Sequence, residues 1–258
     1  MKARTLTSLL CLLTLTLTGC REATKRNGET PPATAVPVSD APASEEYPMP
    51  LSATAATVSD ASASETTPAA ATDPLLTQLA NNMVYVEWEA SSFYICKYEV
   101  TQKLWKAVMG SNPSQMQGDD LPVEQVSWND CQTFISKLNT MTGKNYRLPT
   151  EKEWEYACRG GKYSKGYEYS GSNDLDAVAW YSENSAGKSH PVGQKLPNEL
   201  GLYDMSGNVW EWCQDMNDGT GSCRGGSWIH NARNCQPSLP NDTPQSFYIN
   251  CLGLRLAI

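Results

Sequence analysis

Gly207-Asn-Val-Trp-Glu-Trp212 and, shortly after it, Arg224-Gly-Gly-Ser-Trp228 are the stretches on which the reading of this chain turns. Each sets tryptophan among glycine and a charged residue, a mixture that a solvated loop does not need. Large aromatics bury most of their surface, and a buried indole N–H requires an acceptor inside the fold. Trp210, Trp212 and Trp228, with Trp154 upstream, are therefore expected as framework with satisfied donors. Arg147, Glu151 and Glu153 are expected to cap and pair within that framework, holding loops rather than doing chemistry.

Three helices are legible upstream. Thr101 caps a segment that brings Leu104, Trp105 and Val108 to one face, and Gly110 closes it. Ser127 to Leu138 places Trp128, Cys131, Ile135 and Leu138 on one stripe. Thr150-Glu-Lys-Glu153 is a capping box opening a helix with Trp154 and Ala157 inward, ended by Gly160-Gly161. Elsewhere short strands alternate with loops rich in Gly, Pro, Asn and Asp, which predicts a loop-rich α+β domain over residues 74–258 rather than a βαβ repeat.

The N-terminal part reads differently. Lys2 and Arg4 precede an apolar run, Leu6 to Leu17, too short to span a bilayer, and Leu17-Thr18-Gly19-Cys20 follows. Residues 1–19 are expected to be a lipoprotein signal peptide, with Cys20 the lipidation site that anchors the protein to the bacterial cell envelope, at the outer-membrane surface. Residues 20–73 are dominated by Ala, Ser, Thr and Pro, too polar to offset their ordering entropy, and predict a disordered stalk. It repeats Val38-Ser-Asp-Ala-Pro-Ala-Ser-Glu45 as Val58-Ser-Asp-Ala-Ser-Ala-Ser-Glu65. At about 5–6 Å times the square root of its length, such a stalk would hold the domain roughly 40 Å from the lipid. The net charge of -8 argues against nucleic acid as a partner, and a monomer is expected. Beyond Cys11 and Cys20 seven cysteines remain, so at least one is unpaired; they are either partly oxidised or buried as small hydrophobes.

Taken with Tyr98-Glu-Val-Thr-Gln102, Val126-Ser-Trp-Asn-Asp130, Arg147-Leu-Pro-Thr-Glu151, Gly201-Leu-Tyr-Asp-Met205 and Gly253-Leu-Arg-Leu-Ala257, the two opening stretches resemble the formylglycine-generating-enzyme-like (sulfatase-modifying factor) family. The resemblance covers nearly all of 80–258 and implies a variant of the C-type lectin fold. Enzymes of that family bind copper through two cysteines just beyond the Gly-Gly-Ser-aromatic motif. Here His230 stands at the first position and only Cys235 matches the second, so the two-sulfur site is incomplete and the resemblance implies a protein that is not an enzyme. The alternative is a formylglycine-type oxidase of the cell envelope working through Cys235. Some members bind calcium around the segment matching Gly207 to Glu211. That makes Glu211 a candidate calcium ligand, or equally a buried acid paired with Arg224 or Arg255. No other cofactor is expected.

The last segment is unusual. Residues 229–251 contain no Lys, Glu, Met or Trp, whereas 74–228 contain 35 of these four types. Changing the adenines of Asn codons gives none of the four, and only Gln236 and Gln245 fall outside the set such changes reach. A lipoprotein with this domain and this ending resembles the retroelement-diversified variable lipoproteins of treponemes, in which a lectin-like scaffold displays varied C-terminal residues. The resemblance implies a surface receptor for an unidentified protein or glycan. Its contact residues would be Ile229, His230, Asn231, Arg233, Asn234, Pro237, Leu239, Asn241, Phe247, Tyr248, Ile249 and Asn250. That mixture of apolar and aromatic anchors with polar groups suits a binding patch. The competing expectation is an ordinary strand and loop with Phe247 or Ile249 in the core.

Overall fold

The computed structural model describes residues 73–89 and 91–258; the signal segment, Cys20 and the stalk up to residue 72 lie outside the described residues. Helix α1 (Pro74–Asn81) begins where Asp73 accepts the amide of Leu75, with Pro74 in the first turn, where its missing N–H costs nothing. Strands β1 (Met83–Val86) and β2 (Phe93–Cys96) pair antiparallel, with Val86, Phe93 and Ile95 inward and Tyr85 facing Tyr94 on the outer side.

All three expected helices are present. α2 (Gln102–Met109) is capped by the Thr101 hydroxyl and closed by Gly110 at φ 80. α3 (Trp128–Thr142) opens on a capping box from Ser127 and Asp130 and runs four residues past the expected Leu138, to Gly143 at φ 65. Nothing between Leu138 and Gly143 breaks a helix, so the left-handed glycine sets the end. α4 (Glu151–Cys158) has the Thr150–Glu153 box, and Trp154 and Ala157 are fully buried. Phe134, absent from the expected stripe, stacks on Trp105 with ring centroids 4.8 Å apart and joins the two helices.

After a short helix α5 (Leu175–Val178) the chain enters a four-stranded sheet in the order β5-β4-β3-β6. Its strands are β3 (Trp210–Asn217), β4 (Thr220–Arg224), β5 (Asn241–Pro244) and β6 (Leu252–Leu254). β3 and β6 run parallel and the other pairs antiparallel, so β5 is an edge. Past β6 the chain continues along β2, where Tyr94 and Ile258 exchange backbone hydrogen bonds and the Cys96 amide donates to Leu256. The C-terminus thereby ties the small sheet to the large one.

The framework tryptophans behave as expected. Trp212 donates to the carbonyl of Val126 at 3.0 Å and Trp228 to that of Asn250 at 3.0 Å. Trp154 donates to Glu211 at 2.6 Å and Trp210 to His230 at 3.2 Å. Arg147 forms a bidentate pair with Glu153, while Arg224 bonds Glu151 and Glu155.

Candidate ligand-binding surface

Every residue of Gly221–Trp228 is buried, and so is every residue of 252–257. Between them, from 229 to 250, only Cys235, Pro237 and Thr243 are buried. The segment leaves Trp228, makes a 3-10 turn over Ala232–Cys235, forms the edge strand β5 and returns through a loop to Cys251.

Its attachment to the framework is made mainly through its own backbone. The framework bonds that hold it include Ser206 Oγ to the carbonyl of Cys235 at 2.8 Å, Arg224 Nη1 to that of Pro237 at 2.9 Å and Trp228 Nε1 to that of Asn250. The amides of Ser182, Trp128, Gln125 and Trp210 reach the carbonyls of His230, Gln245, Ile249 and Cys251 at 2.8–3.1 Å. None of these acceptors depends on the side chain of the residue that carries it. Gly226, at φ 77, lies so close under the 3-10 turn that a Cβ there would sit 2.7 Å from the Asn234 carbonyl oxygen.

The exposed side chains follow from this. Ile229, Phe247, Tyr248 and Ile249 are 54%, 43%, 60% and 41% exposed, which removes Phe247 and Ile249 from the core. Asn231, Arg233 and Asn241 are exposed; His230, Asn234, Leu239 and Asn250 are half-buried. Pro237 corrects the expectation: it is buried, its carbonyl held by Arg224, and it presents nothing to a ligand. Residues 229–231 and 247–250 come together where Trp228 bonds Asn250 and Trp210 holds His230 from one side and Cys251 from the other. Asn241 lies on β5, opposite Cys223 of β4.

Two residues unforeseen from sequence border the surface. The Asn250 amide donates to Gln115 Oε1 at 3.0 Å, and Gln125, at φ 60, aims its backbone N–H at Ile249. Glutamines in a loop carry no motif, so only the fold reveals them.

The chemistry at His230 and Cys235 is restrained. His230 Nδ1 accepts the Trp210 indole and lies 2.6 Å from Ser227 Oγ, while burial lowers its pKa, favouring the neutral ring. Burial pushes the Cys235 thiol up to about 12, so at neutral pH it is protonated, whereas metal binding and attack require the thiolate. All seven described cysteines are buried and free, and no group of three or more metal-ligating side chains forms among the described residues.

Glu211 settles into the second of its two expected roles, with Arg255 and not Arg224 as partner. Arg255 bonds both its oxygens at 2.7–3.2 Å, Trp154 bonds one, and both members of the ion pair are fully buried. A calcium ion at this carboxylate would have to displace a guanidinium with no water to receive it, so the residues present do not fit calcium at Glu211.

Comparison with known proteins agrees with this geometry. The chain is 39% identical over 220 residues to the Chaperone protein LppX of Paenibacillus barcinonensis, an alignment covering 63% of this chain and 77% of that one. To the Formylglycine-generating enzyme of Thermomonospora curvata it is 38% identical over 123 residues, covering 43% of this chain and only 39% of the enzyme. Among solved structures it is similar to Treponema denticola variable protein 1, with a TM-score of 0.61 at 29% identity over 68% of this chain and 91% of that one. Residues 73–258 match the Sulfatase-modifying factor enzyme 1-like domain. With its framework motifs in the same α+β arrangement, the chain belongs to the sulfatase-modifying factor enzyme 1-like family and has the formylglycine-generating-enzyme-like fold.

Proposed function

We propose that this protein is a non-catalytic, lipid-anchored receptor of the bacterial cell envelope, displayed at the outer-membrane surface through Cys20, whose exposed residues between 229 and 250 bind ligands and are diversified by a retroelement. The observation that carries the reading is the backbone attachment of that segment, which leaves its exposed side chains free of structural duty. Similarity to a protein named for its variability supports it. The exposed set Ile229, Phe247, Tyr248 and Ile249 has the aromatic and aliphatic character of a protein-binding patch, and Arg233 of the same segment is exposed too. A glycan is the other class of ligand, and the chaperone name of the Paenibacillus relative favours a protein.

The test is to sequence the DNA downstream of the gene together with sibling copies. A near-copy of the 3′ end beside a reverse transcriptase, differing almost only at adenines that encode exposed positions, is the expected result. Siblings that keep 229–250 unchanged, with no template, would overturn the proposal.

A second reading, a formylglycine-type oxidase, rests on the similarity to the Thermomonospora enzyme. It requires a reactive Cys235, which burial opposes. Copper-dependent oxygen consumption lost in Cys235→Ser would support it; no consumption by the native protein is expected.

A further inference from the structure

A cavity of about 430 Å³, lined by none of residues 229–251, lies between α1, the start of α2 and the 191–194 loop. Leu75, Leu79, Val100, Leu104 and Val192 give it an apolar wall. The 191–194 loop is held in place where the Val192 amide donates to the carbonyl of Asp120 at 3.0 Å. At the inner end stands Glu99, 2% exposed, its oxygens accepting from Asn208 and the amide of Val209. Burial, with Asp204 and Glu211 nearby, raises the Glu99 pKa well above its ordinary value, so this end of the cavity is polar. Lys103 and Asp120 line the same cavity and are exposed, and neither forms an ion pair among the described residues.

An apolar wall with one unpaired cation and one unpaired anion on the lining is complementary to a molecule that carries both charges on an apolar body. Its volume falls within the range of small-molecule sites, roughly 300–1,000 Å³. We propose that this cavity is a binding site for a small zwitterion with an apolar body, the chemistry of an apolar α-amino acid. Lys103 meets the carboxylate, Asp120 meets the ammonium, and the side chain lies on Leu79, Leu104 and Val192. None of its lining residues belongs to the displayed segment.

Calorimetric titration of the full chain tests this, with L-phenylalanine as probe and phenylpropionate and phenethylamine as analogues retaining one charge each. L-Phenylalanine is expected to bind one-to-one, at least about fivefold more tightly than either analogue, the scale of one partly exposed ion pair. Lys103→Ala is expected to weaken L-phenylalanine by about fivefold and leave phenethylamine unchanged; Asp120→Ala does the converse with phenylpropionate. Val192→Trp fills the cavity and abolishes binding, and Phe247→Ser changes nothing. Because Lys103 and Asp120 are exposed, their variants fold, so an absence of L-phenylalanine binding at millimolar concentration in the native chain, or binding unaffected by both alanine variants, would overturn the proposal.

Discussion

Residues 221–228 and 252–257 are buried without exception, whereas of residues 229–250, which connect them, three are buried. Both regions belong to one sheet. The first is held by side chains: the Arg224 guanidinium on Glu151, and Arg255 in its pair with Glu211, sealed from water. The second is held mainly by framework groups that grip its peptide carbonyls. Side-chain identity should therefore be costly to change in the first region and nearly free in the second.

The most severe test of that contrast is Arg255→Met, which strands Glu211 as an unpaired buried charge. It is expected to cost about 3–5 kcal/mol by denaturant titration, and a loss under ~1 kcal/mol would mean that the framework is not held as described. Gly226→Ala comes next. At φ 77 and with Asn234 in the way, it should cost about 1–3 kcal/mol and loosen hydrogen exchange at 232–236 before it does so in β3. By contrast, Ile229→Ser, Phe247→Ser, Tyr248→Ser and Ile249→Ser should each stay within about 0.5 kcal/mol of the parent; a larger loss from any of them returns that residue to the core.

Titration sharpens the comparison further, because the two regions carry opposite signs. Asp204, in the framework, is buried and its carboxyl is raised to about 6. Its neutral form is favoured by folding, so stability is lost as pH rises from about 4 through that value, and Asp204→Asn should flatten thermal melts across the interval. His230, in the displayed segment, has its pKa lowered by burial. Its contribution is present above about 6.5 and is lost as pH falls through the lower folded value; His230→Gln should remove that acid-side loss, the smallest of these effects.

Much of this was legible before the fold was known. The caps at Thr101 and Thr150 and the stop at Gly110 act within a few residues, and local chemistry reads at that range; the Gly143 stop of α3 and the end of α4 at Cys158, ahead of Gly160, were not read. The buried tryptophans were equally plain. Other features were not. Nothing local distinguishes Arg224 from Arg255 as the partner of Glu211: Arg224 stands opposite it on β4 but turns to Glu151 and Glu155, and Arg255, just past β6, takes the pair. Pro237 was misread because codon reach concerns what can be encoded and says nothing of which way a residue faces. Gln115 and Gln125 were missed because their role depends on where the chain returns more than a hundred positions later, at Ile249 and Asn250.

The backbone grip on residues 229–250 has a consequence for how such a chain can change over generations. A clasp that recognises carbonyl groups is indifferent to the letters strung between them, so substitutions at the outward positions arrive in molecules that are already folded. Novelty in what is recognised and survival of the fold become separate events. A mutating mechanism aimed at this stretch would spend few of its products on collapse, provided that it spares Gly226 and the inward-facing Cys235, Pro237 and Thr243.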